Sequence, residues 1–525
     1  MKKTAITILL MLSAVCGYSQ SAYDGFIFSE NNYEGTARSV AMGNAFTALG
    51  GDLGAVNINP AGSAVAGYSQ ITVTPALSFT ASTAQGVSPF ENGTLPYFER
   101  KLKSSMSRLN MPNLGMTFCW DTHRKTGLKN VTVGFIVNQT ASFDQDVYAA
   151  GMNSTTSFMG SLAYNTDGYS TDVLNGPKAY ENAPWTSVVG YQSGMISAFG
   201  GYDDRYVGAS EKIFPNGEIV IGGALDQKYG RRVGGSKYDY IFNVGANISD
   251  FLYIGANLGM TSLNYEYDDY FKESAIDPDD FEIVLDNGSR MTFNDMTYRY
   301  SYQAVGSGYF AKFGVILTPI QGLRIGAAIQ TPTINTITEY WSEMGETTFS
   351  TVKYKASSPE GMGEYSYTFV APYRANFGLA YTFGKYGVIS ADYEICDYST
   401  MKFRTNGYDD PYFDELNAEI RHRFKVAQAF RLGGEAKLGP LAARVGYGYN
   451  NSNGISQNIS FGLGYSSKGS FFMDVAARKS IMAREYYMPY SDYIYDDEEN
   501  ILEPTPELLI HTSRWKVLLT LGWRF

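Results

Sequence analysis

The sequence ends with RWKVLLTLGWRF, residues 514–525, in which residue character alternates along the chain. One face carries Trp515, Val517, Leu519, Leu521, Trp523 and Phe525, and the other carries Arg514, Lys516, Thr520 and Arg524. A period of two is the period of a β-strand. A soluble sandwich with one buried face would give the same alternation, but aromatic residues at both ends of the apolar stripe favour a strand that crosses a membrane.

The same alternation recurs towards the N-terminus. We predict further strands at residues 469–479, 456–466, 440–450, 423–434, 386–397, 373–384, 322–331, 308–319, 251–264, 237–250, 129–143, 111–121 and 69–81. With the last strand this makes about fourteen, and single-chain bacterial barrels have an even number of strands. The aromatic content of 15% and the 55 glycines also suit an all-β chain better than a helical one.

The predicted connections between strands fall into two classes by length, which alternate along the chain. Short turns at 121–128, 249–250, 319–322, 384–385, 438–441 and 466–469 alternate with long connections at 82–110, 144–236, 265–307, 332–372, 398–422 and 480–512, and only 451–455 is short where a long one is expected. Short periplasmic turns and long outer loops are typical of outer-membrane barrels, whereas a soluble sandwich has no reason to sort its loops. The sequence therefore predicts an all-β protein: a transmembrane, antiparallel, up-and-down β-barrel of about 14 strands in the bacterial outer membrane.

Composition limits the other classes. No run of about twenty apolar residues follows the first residues, so we expect no helical membrane span. The net charge of -11 argues against nucleic acid and against an anionic surface as partners. Beyond residue 20 the cysteines are Cys119 and Cys396, too few for a disulfide framework.

Residues 1–20 have the pattern of a secretory signal peptide. Lys2 and Lys3 precede an apolar run over residues 4–15, which is too short to span a bilayer, and small and polar residues follow. Cys16 raises the alternative of a lipoprotein signal, but Val15 is bulkier than the residue such a signal needs. We expect ordinary cleavage near residues 20–22.

Residues 35–64, GTARSVAMGNAFTALGGDLGAVNINPAGSA, consist mainly of small side chains. Such a backbone can pack closely against its surroundings, but it has too little apolar area to offset the entropy of ordering it alone. We expect it to fill the barrel. The predicted organisation is a signal peptide at 1–20, an N-terminal hatch, or plug, at 21–68, and a barrel with long extracellular loops at 69–525.

Four features resemble known outer-membrane proteins. Gly35, the run at 41–46 and Asn59-Pro60-Ala61-Gly62 resemble the N-terminal hatch of the FadL/TodX family of outer-membrane hydrophobic-compound (long-chain fatty acid) channels, and the terminal Phe525 resembles the signature read by the barrel-assembly machinery. The resemblance implies a plugged barrel that passes long-chain fatty acids or aromatic hydrocarbons by passive diffusion. It also implies a ligand pocket in the upper barrel, with Tyr23, Phe26 and Phe28 contributing by position, and a lateral exit at an inward strand kink whose place the motif does not give.

Candidate gating and ligand-binding residues follow. Pro60 fixes one dihedral and Asn59 can close a local turn, so Asn59, Pro60 and Ala61 are candidates for the moving part of the hatch. Strand parity turns Arg324 and Arg374 into the lumen, where an arginine could hold a ligand carboxylate. The alternative is that lumen charges pair with one another and with the hatch; parity also turns Gln330, Asn376, Asp392, Glu394, Arg431, Arg444, Asp474 and Arg478 inward.

Other chemistry is poorly supported. The acidic runs at 277–280 and 496–499 lack the glycine of a calcium loop, so we expect solvated loops, no metal and no cofactor. His123, His422 and His511 lie outside mid-strand positions, which argues against an enzyme. A receptor for haem or another large apolar ligand, and a structural or adhesive barrel, remain alternatives. The expected partners are a hydrophobic ligand, outer-membrane lipid and the assembly machinery, with the protein itself a monomer.

Overall fold

Fourteen antiparallel strands form a closed barrel in the computed structural model. The structure describes residues 21–87, 97–284, 288–407, 411–467, 470–490, 494–495, 501–503 and 506–525. Each strand pairs with the strands before and after it, and the last pairs with the first. The predicted fold class and strand number are therefore confirmed, whereas the signal-peptide assignment lies outside the described residues.

We number the barrel strands in chain order and treat a strand that continues after a short break as one. They are β1 Gln70–Val87, β2 Leu102–Asp121, β3 Leu128–Ser142 with Gln145–Asn153, β4 Leu225–Ile248, β5 Leu252–Ala275, β6 Arg290–Ile320, β7 Leu323–Gln330 with Thr333–Phe349, β8 Glu364–Ala371 with Arg374–Thr382, β9 Gly387–Asp397 with Lys402–Arg404, β10 Val426–Leu438, β11 Leu441–Asn450, β12 Ser456–Ser466, β13 Phe471–Tyr487 and β14 Glu507–Arg524.

The remaining elements lie before the barrel and in its loops. The helices are α1 Ala22–Ser29, α2 Ala37–Ala41, α3 Gly62–Val65, α4 Phe158–Thr166, α5 Thr171–Asn175, α6 Ala179–Asn182, α7 Trp185–Gln192 and α8 Pro411–Arg423, with 3-10 turns at Leu53–Asn57, Pro278–Phe281 and Tyr398–Thr400. Short loop strands are Ile196–Ala198, Tyr206–Gly208, Glu211–Ile213, Ile219–Ile221, Glu282–Val284, Lys353–Ser357, Ile494–Tyr495 and Ile501–Glu503.

The last strand has the two faces that its sequence predicts. Trp515, Val517 and Trp523 are exposed on the outside, whereas Lys516 and Thr520 are buried on the lumen side. Apolar side chains recur outside the neighbouring strands, and several are more than half exposed, among them Phe242, Leu258, Tyr309 and Leu463. An apolar band of this kind fits the hydrocarbon core of a bilayer and would be unfavourable in water. No helix in the described ranges is long and apolar enough to cross a membrane.

The loop boundaries predicted from the sequence are wrong in one respect. Residues 82–87, 102–110, 145–153, 225–236, 265–275, 290–307 and 333–349 continue barrel strands instead of forming loops. Above the apolar band the outer face also becomes polar. The alternation of apolar and polar residues therefore disappears from the sequence, although the strands continue to pair. The largest true insertion is residues 154–224, which contain α4–α7 and form a cap over the barrel mouth.

The N-terminal segment, residues 21–68, lies inside the barrel. Thr47 donates to Asp392 of β9 from its N–H at 2.7 Å and from its hydroxyl at 2.6 Å, and Asn57 donates to Asp239 of β4 at 3.0 Å. The N–H of Ala37 donates to Thr520 of β14 at 2.7 Å. The segment is thus bonded to strands on widely separated parts of the wall.

Glycines on the inner wall let the segment approach the strands. A Cβ at Gly433 would lie 2.9 Å from Met42 Cβ and closer still to the Met42 carbonyl oxygen. The segment meets the wall in the same way at Gly245, Gly255, Gly314, Gly326, Gly378, Gly446 and Gly462. Because the segment has small side chains and the wall has glycines at these positions, the two backbones pack directly against each other.

Opposite charges fill the rest of the lumen. Glu435 pairs with Arg38 of the segment at 2.9 Å and with Arg444 at 2.7 Å. Glu34 of the segment pairs with Lys516 at 2.9 Å and also with Arg478. These contacts agree with the alternative that the inward charges serve pairing, because buried charges need partners.

The glycine packing yields a matched test. We expect Gly433→Ala to lower the free energy of unfolding by about 1–3 kcal/mol, because the added methyl meets the segment in a filled space. The neighbouring Gly434→Ala should change little, since its Cβ has only Val445 Cγ1 nearby, at 3.8 Å. Both changes alter the unfolded chain equally. Thermal unfolding in detergent measures the difference, and equal effects would contradict this packing.

Candidate functional site

The barrel wall has a gap between β2 and β3. Their ladder runs from Asp121↔Asn130 to Asn113↔Asn138 and ends there. Above it, among the described barrel strands, β2 pairs with β1 as far as Leu102↔Ala84, while β3 pairs with β4. The upper piece of β3 lies on the lumen side of β2, where Ser104 Oγ donates to the Asp146 carbonyl.

One local feature and two sets of long-range contacts produce this gap. Pro112 has no N–H to donate, and the ladder stops at the next residue. The N–H groups of Asn32 and Glu34 donate to the carbonyls of Thr140 and Gln139 at 2.7 and 3.0 Å, so the N-terminal segment takes the β3 edge that β2 leaves.

The break within β3 is held from across the lumen. Arg514 donates to the carbonyl of Ser142, at the end of the first piece of β3, at 2.9 Å and to that of Asp144, within the break, at 2.8 Å. On the facing strand Gly235 has a φ of 100°, which favours glycine, and its carbonyl accepts from the N–H of Phe143 at 3.1 Å. The guanidinium therefore fixes the place where β3 turns inward.

The gap contains a cavity of about 390 Å³. Its lining includes residues that face the outside, such as Leu109 and Met111, and residues that face the lumen, such as Asn110 and Gln139. The cavity is therefore lined by residues of both faces of the wall. Its full lining is Pro75, Arg108, Leu109, Asn110, Met111, Gln139, Gly235, Ser236 and Tyr238.

An ion pair spans the gap. Arg108 Nε of β2 lies 2.9 Å from Asp144 Oδ1, and Asp144 lies in the break of β3. The carboxylate is almost fully buried, whereas the guanidinium is 42% exposed. Because the backbone ladder is missing here, this pair and the Ser104 bond are among the contacts that join the two sides.

An aromatic chamber lies above the centre of the N-terminal segment. Phe26 of α1 stacks on Phe424 at 5.7 Å and contacts Tyr398 at 5.0 Å between ring centroids. Phe28 packs edge-on against Tyr265 and Phe369, each at 6.1 Å. The chamber wall adds further rings from the upper strands, namely Tyr267, Tyr300, Tyr302, Trp341, Tyr365, Tyr367 and Phe403.

Some of these side chains face an internal space. Tyr23, Ile27, Tyr267, Tyr300 and Trp341 are enclosed by the barrel yet only half-buried. A side chain that points inward and keeps accessible surface must border a cavity. The cap covers this space, because Trp185 of α7 packs on Trp341 with 5.7 Å between ring centroids.

The charges of the chamber are mainly carboxylates. Asp24, Glu343 and Glu485 border or approach it, and no salt bridge joins these three to a cation within the described residues. Burial, together with the nearby charge of Glu339, raises the pKa of Asp24 to about 7. The chamber is therefore a poor environment for a negative charge.

The cation beside the chamber is already engaged. The Arg231 guanidinium lies 4.2 Å from the centroid of the Tyr267 ring and 4.9 Å from that of Tyr487. It also pairs with Asp269 at 3.5 Å.

The predicted ligand residues separate into two groups. The structure brings Tyr23, Phe26 and Phe28 together at the chamber. Arg374 lies nearby but is held by Glu394 at 2.9 Å and by the Ser29 carbonyl, so it positions the end of α1. A ligand-binding role for these residues stays a prediction.

The other predicted residues lie in the lower barrel. Asn59 donates to the carbonyls of Thr47 and Val315 at 2.6 and 3.2 Å, and the Pro60 carbonyl accepts from Asn243 at 3.1 Å. Ala61 is fully buried next to them, and Arg324 donates to the Leu49 carbonyl at 2.5 Å. These four residues anchor the segment to the wall, and their gating role stays a prediction.

Sequence reasoning missed the residues of the gap. Pro75 and Pro112 fall inside β1 and β2, and a proline within a strand indicates an edge or a bulge. The Gly234–Gly235 pair in β4 was a second available signal, since glycine in a strand often marks a bulge. The partners Arg108, Asp144 and Arg514 carry no local signal because their contacts are long-range.

Comparisons with known proteins bear on the fold. No family model matches the sequence, and no curated protein matches it significantly. Among solved structures, a Pseudomonas aeruginosa FadL homologue is 11% identical over 94% of this chain and 98% of that chain, with a TM-score of 0.49. The P. putida toluene transporter TodX is 12% identical over 94% of this chain and 99% of that chain, with a TM-score of 0.49. The Ralstonia pickettii toluene transporter TbuX is 13% identical over 94% of this chain and 99% of that chain, with a TM-score of 0.46. These names include the family that the motif at residues 59–61 resembles.

The ion pair across the gap can be tested by a double-mutant cycle. We expect Arg108→Met and Asp144→Asn each to lower the unfolding temperature, and the double variant to fall short of their sum. The expected coupling is about 1 kcal/mol, because one partner is exposed to solvent. Thermal unfolding in detergent measures all four proteins. Additive effects would show that the two groups do not interact in the folded protein.

Proposed function

We propose that the protein is an outer-membrane channel through which uncharged hydrophobic small molecules diffuse passively. The observation that carries this proposal is the cavity of about 390 Å³ in the gap between β2 and β3, which is lined by residues of both faces of the wall. It offers an apolar molecule a route between the lumen and the bilayer that avoids water. No energy source is needed, because the molecule moves to an environment of similar polarity.

The aromatic chamber supports capture of an apolar cargo. Pockets for small molecules are lined mainly by apolar and aromatic side chains with few polar groups. The rings of Phe26, Phe28 and Tyr265 meet this description, and Trp341 links the chamber to the cap. We propose that cargo passes beneath the cap, rests among these rings and leaves sideways through the gap.

The charges favour aromatic hydrocarbons over fatty acids as cargo. A fatty-acid carboxylate would lie beside Asp24 and Glu339, and Arg374 and Arg231 are occupied by other groups. Like charges in a buried site are unfavourable. An uncharged ring can contact the chamber without this cost.

The floor of the barrel supports a sideways route. Leaving through the floor would break the ion pairs of Arg38 and Glu34 and the bonds of Thr47 and Asn59. Breaking one buried pair costs about 3–5 kcal/mol, so displacement of the whole segment is unfavourable. This differs from the expectation that hatch movement releases the cargo. Recognition of Phe525 by the assembly machinery and a monomeric state stay predictions.

Filling the gap tests the route. We expect Asn110→Trp to reduce uptake of radiolabelled toluene to the level of cells that lack the protein, because the new side chain occupies the cavity. Ser107→Trp is the matched control, since Ser107 lies on the same strand but is exposed on the outer face. Band shift on heating in detergent verifies that both barrels are assembled. Equal uptake by the two variants would contradict a route through the gap.

Cargo charge gives a second test. The wild-type protein should speed uptake of toluene but not of benzoate at neutral pH. Asp24→Asn should raise benzoate uptake while leaving toluene uptake unchanged, because it removes a carboxyl group from the chamber. Competition between the two compounds in the same cells measures the ratio. Faster uptake of benzoate than toluene by the wild type would overturn the assignment of an uncharged cargo.

A further inference from the structure

We propose that a row of cations on the outer face of the barrel binds the phosphate groups of anionic lipid in the outer leaflet. The row consists of Lys103 and Arg484, with the His511 side chain between them and Lys479 just below. This proposal uses the membrane location given above but is independent of cargo and route.

Strand register brings these residues together. Thr83 of β1 lies opposite Lys103 of β2 on one side and opposite His511 of β14 on the other, and His511 lies opposite Arg484 of β13. Residues directly opposite in a sheet point to the same face. Lys103, His511 and Arg484 are all exposed, so the row faces outward.

The height of the row matches a lipid headgroup. Ile71 begins the apolar outer face of β1, and Thr83 lies twelve positions further. At about 3.3 Å per residue and a tilt of about 40°, the row lies about 30 Å above Ile71, beyond an apolar band of about 25 Å. Phe79 and Trp515 lie opposite each other just below and form the aromatic border of the band.

Lys479 extends from this border towards the row. It lies opposite Trp515 in the sheet, and its ammonium is 5.4 Å from the centroid of a Trp515 ring. The ammonium donates to Ser513 Oγ at 3.0 Å, one position nearer the loops. A lysine that keeps its stem on an aromatic ring and its charge at the interface is placed to meet a headgroup.

The outward positions just below the row carry no acidic side chain. They are Ala81, Ser105, Ser513 and Ile481. Within the described residues no salt bridge joins Lys103, Lys479, Arg484 or His511 to a carboxylate. Three other cations towards the loop end are paired, namely Arg232 with Asp146, Lys272 with Asp295 and Lys353 with Glu346. An unpaired group of like charges calls for an anionic partner, and the membrane supplies lipid phosphates at this height.

Lipid retention in nanodiscs tests the proposal. The probes are lipid A and its fully dephosphorylated form, each mixed into phosphatidylcholine nanodiscs that hold the full-length mature barrel. Native mass spectrometry counts the lipid molecules retained after detergent extraction. We expect the wild type to retain lipid A and to lose the dephosphorylated form.

Two triple variants separate site binding from general attraction. K103Q/K479Q/R484Q should lose lipid A retention, whereas the matched control R232Q/K272Q/K353Q, with the same charge change, should keep it. Band shift on heating shows whether each barrel is folded, and toluene uptake should be unchanged in both. Equal retention of the two lipid forms by the wild type, or equal loss in the two variants, would overturn the proposal. A failure of toluene uptake in the wild type would instead count against the channel function.

Discussion

The structure depends on one close approach, between the backbone of the N-terminal segment and the glycines of the inner wall. Without side chains at Gly433 or Gly326, the wall lies against the segment at van der Waals distance. Such an interface has little apolar area, so its specificity comes from hydrogen bonds and ion pairs, such as Thr47 with Asp392 and Arg38 with Glu435. The lower barrel is therefore filled. Because this floor is closed, the gap between β2 and β3 is the route proposed for the cargo.

Most of the fold could be predicted from the period-two alternation of the sequence. All fourteen strands were predicted, because in the apolar band the lipid face and the lumen face must differ at every position. Above the band that requirement ends, and the pattern fails although β5 and β6 continue to pair as far as Ser274↔Asp295. The sequence pattern therefore reports the environment of a strand and not its length.

The candidate site was predictable only in part. The resemblance to the FadL/TodX family, together with the position of Tyr23, Phe26 and Phe28 before the barrel, was the basis for expecting them at a pocket in the upper barrel. The occupation of Arg374 was not predictable, because its partners Glu394 and the Ser29 carbonyl are brought to it by the closed fold. The gap has the same origin: Pro112 is visible in the sequence, but the guanidinium of Arg514 and the edge taken by Asn32 and Glu34 depend on strands that are hundreds of residues apart.

The contacts of the N-terminal segment also constrain the order of events during assembly. The segment forms hydrogen bonds or ion pairs with β4, β9, β10 and β14, so strands from widely separated parts of the wall contact it with their inner faces. The seam between β1 and β14 is formed by the first and last strands in the chain. Closing that seam traps the segment, and a segment left outside would leave the charges of Glu435, Arg478 and Lys516 without their partners. Threading and closure are in this sense a single cooperative step.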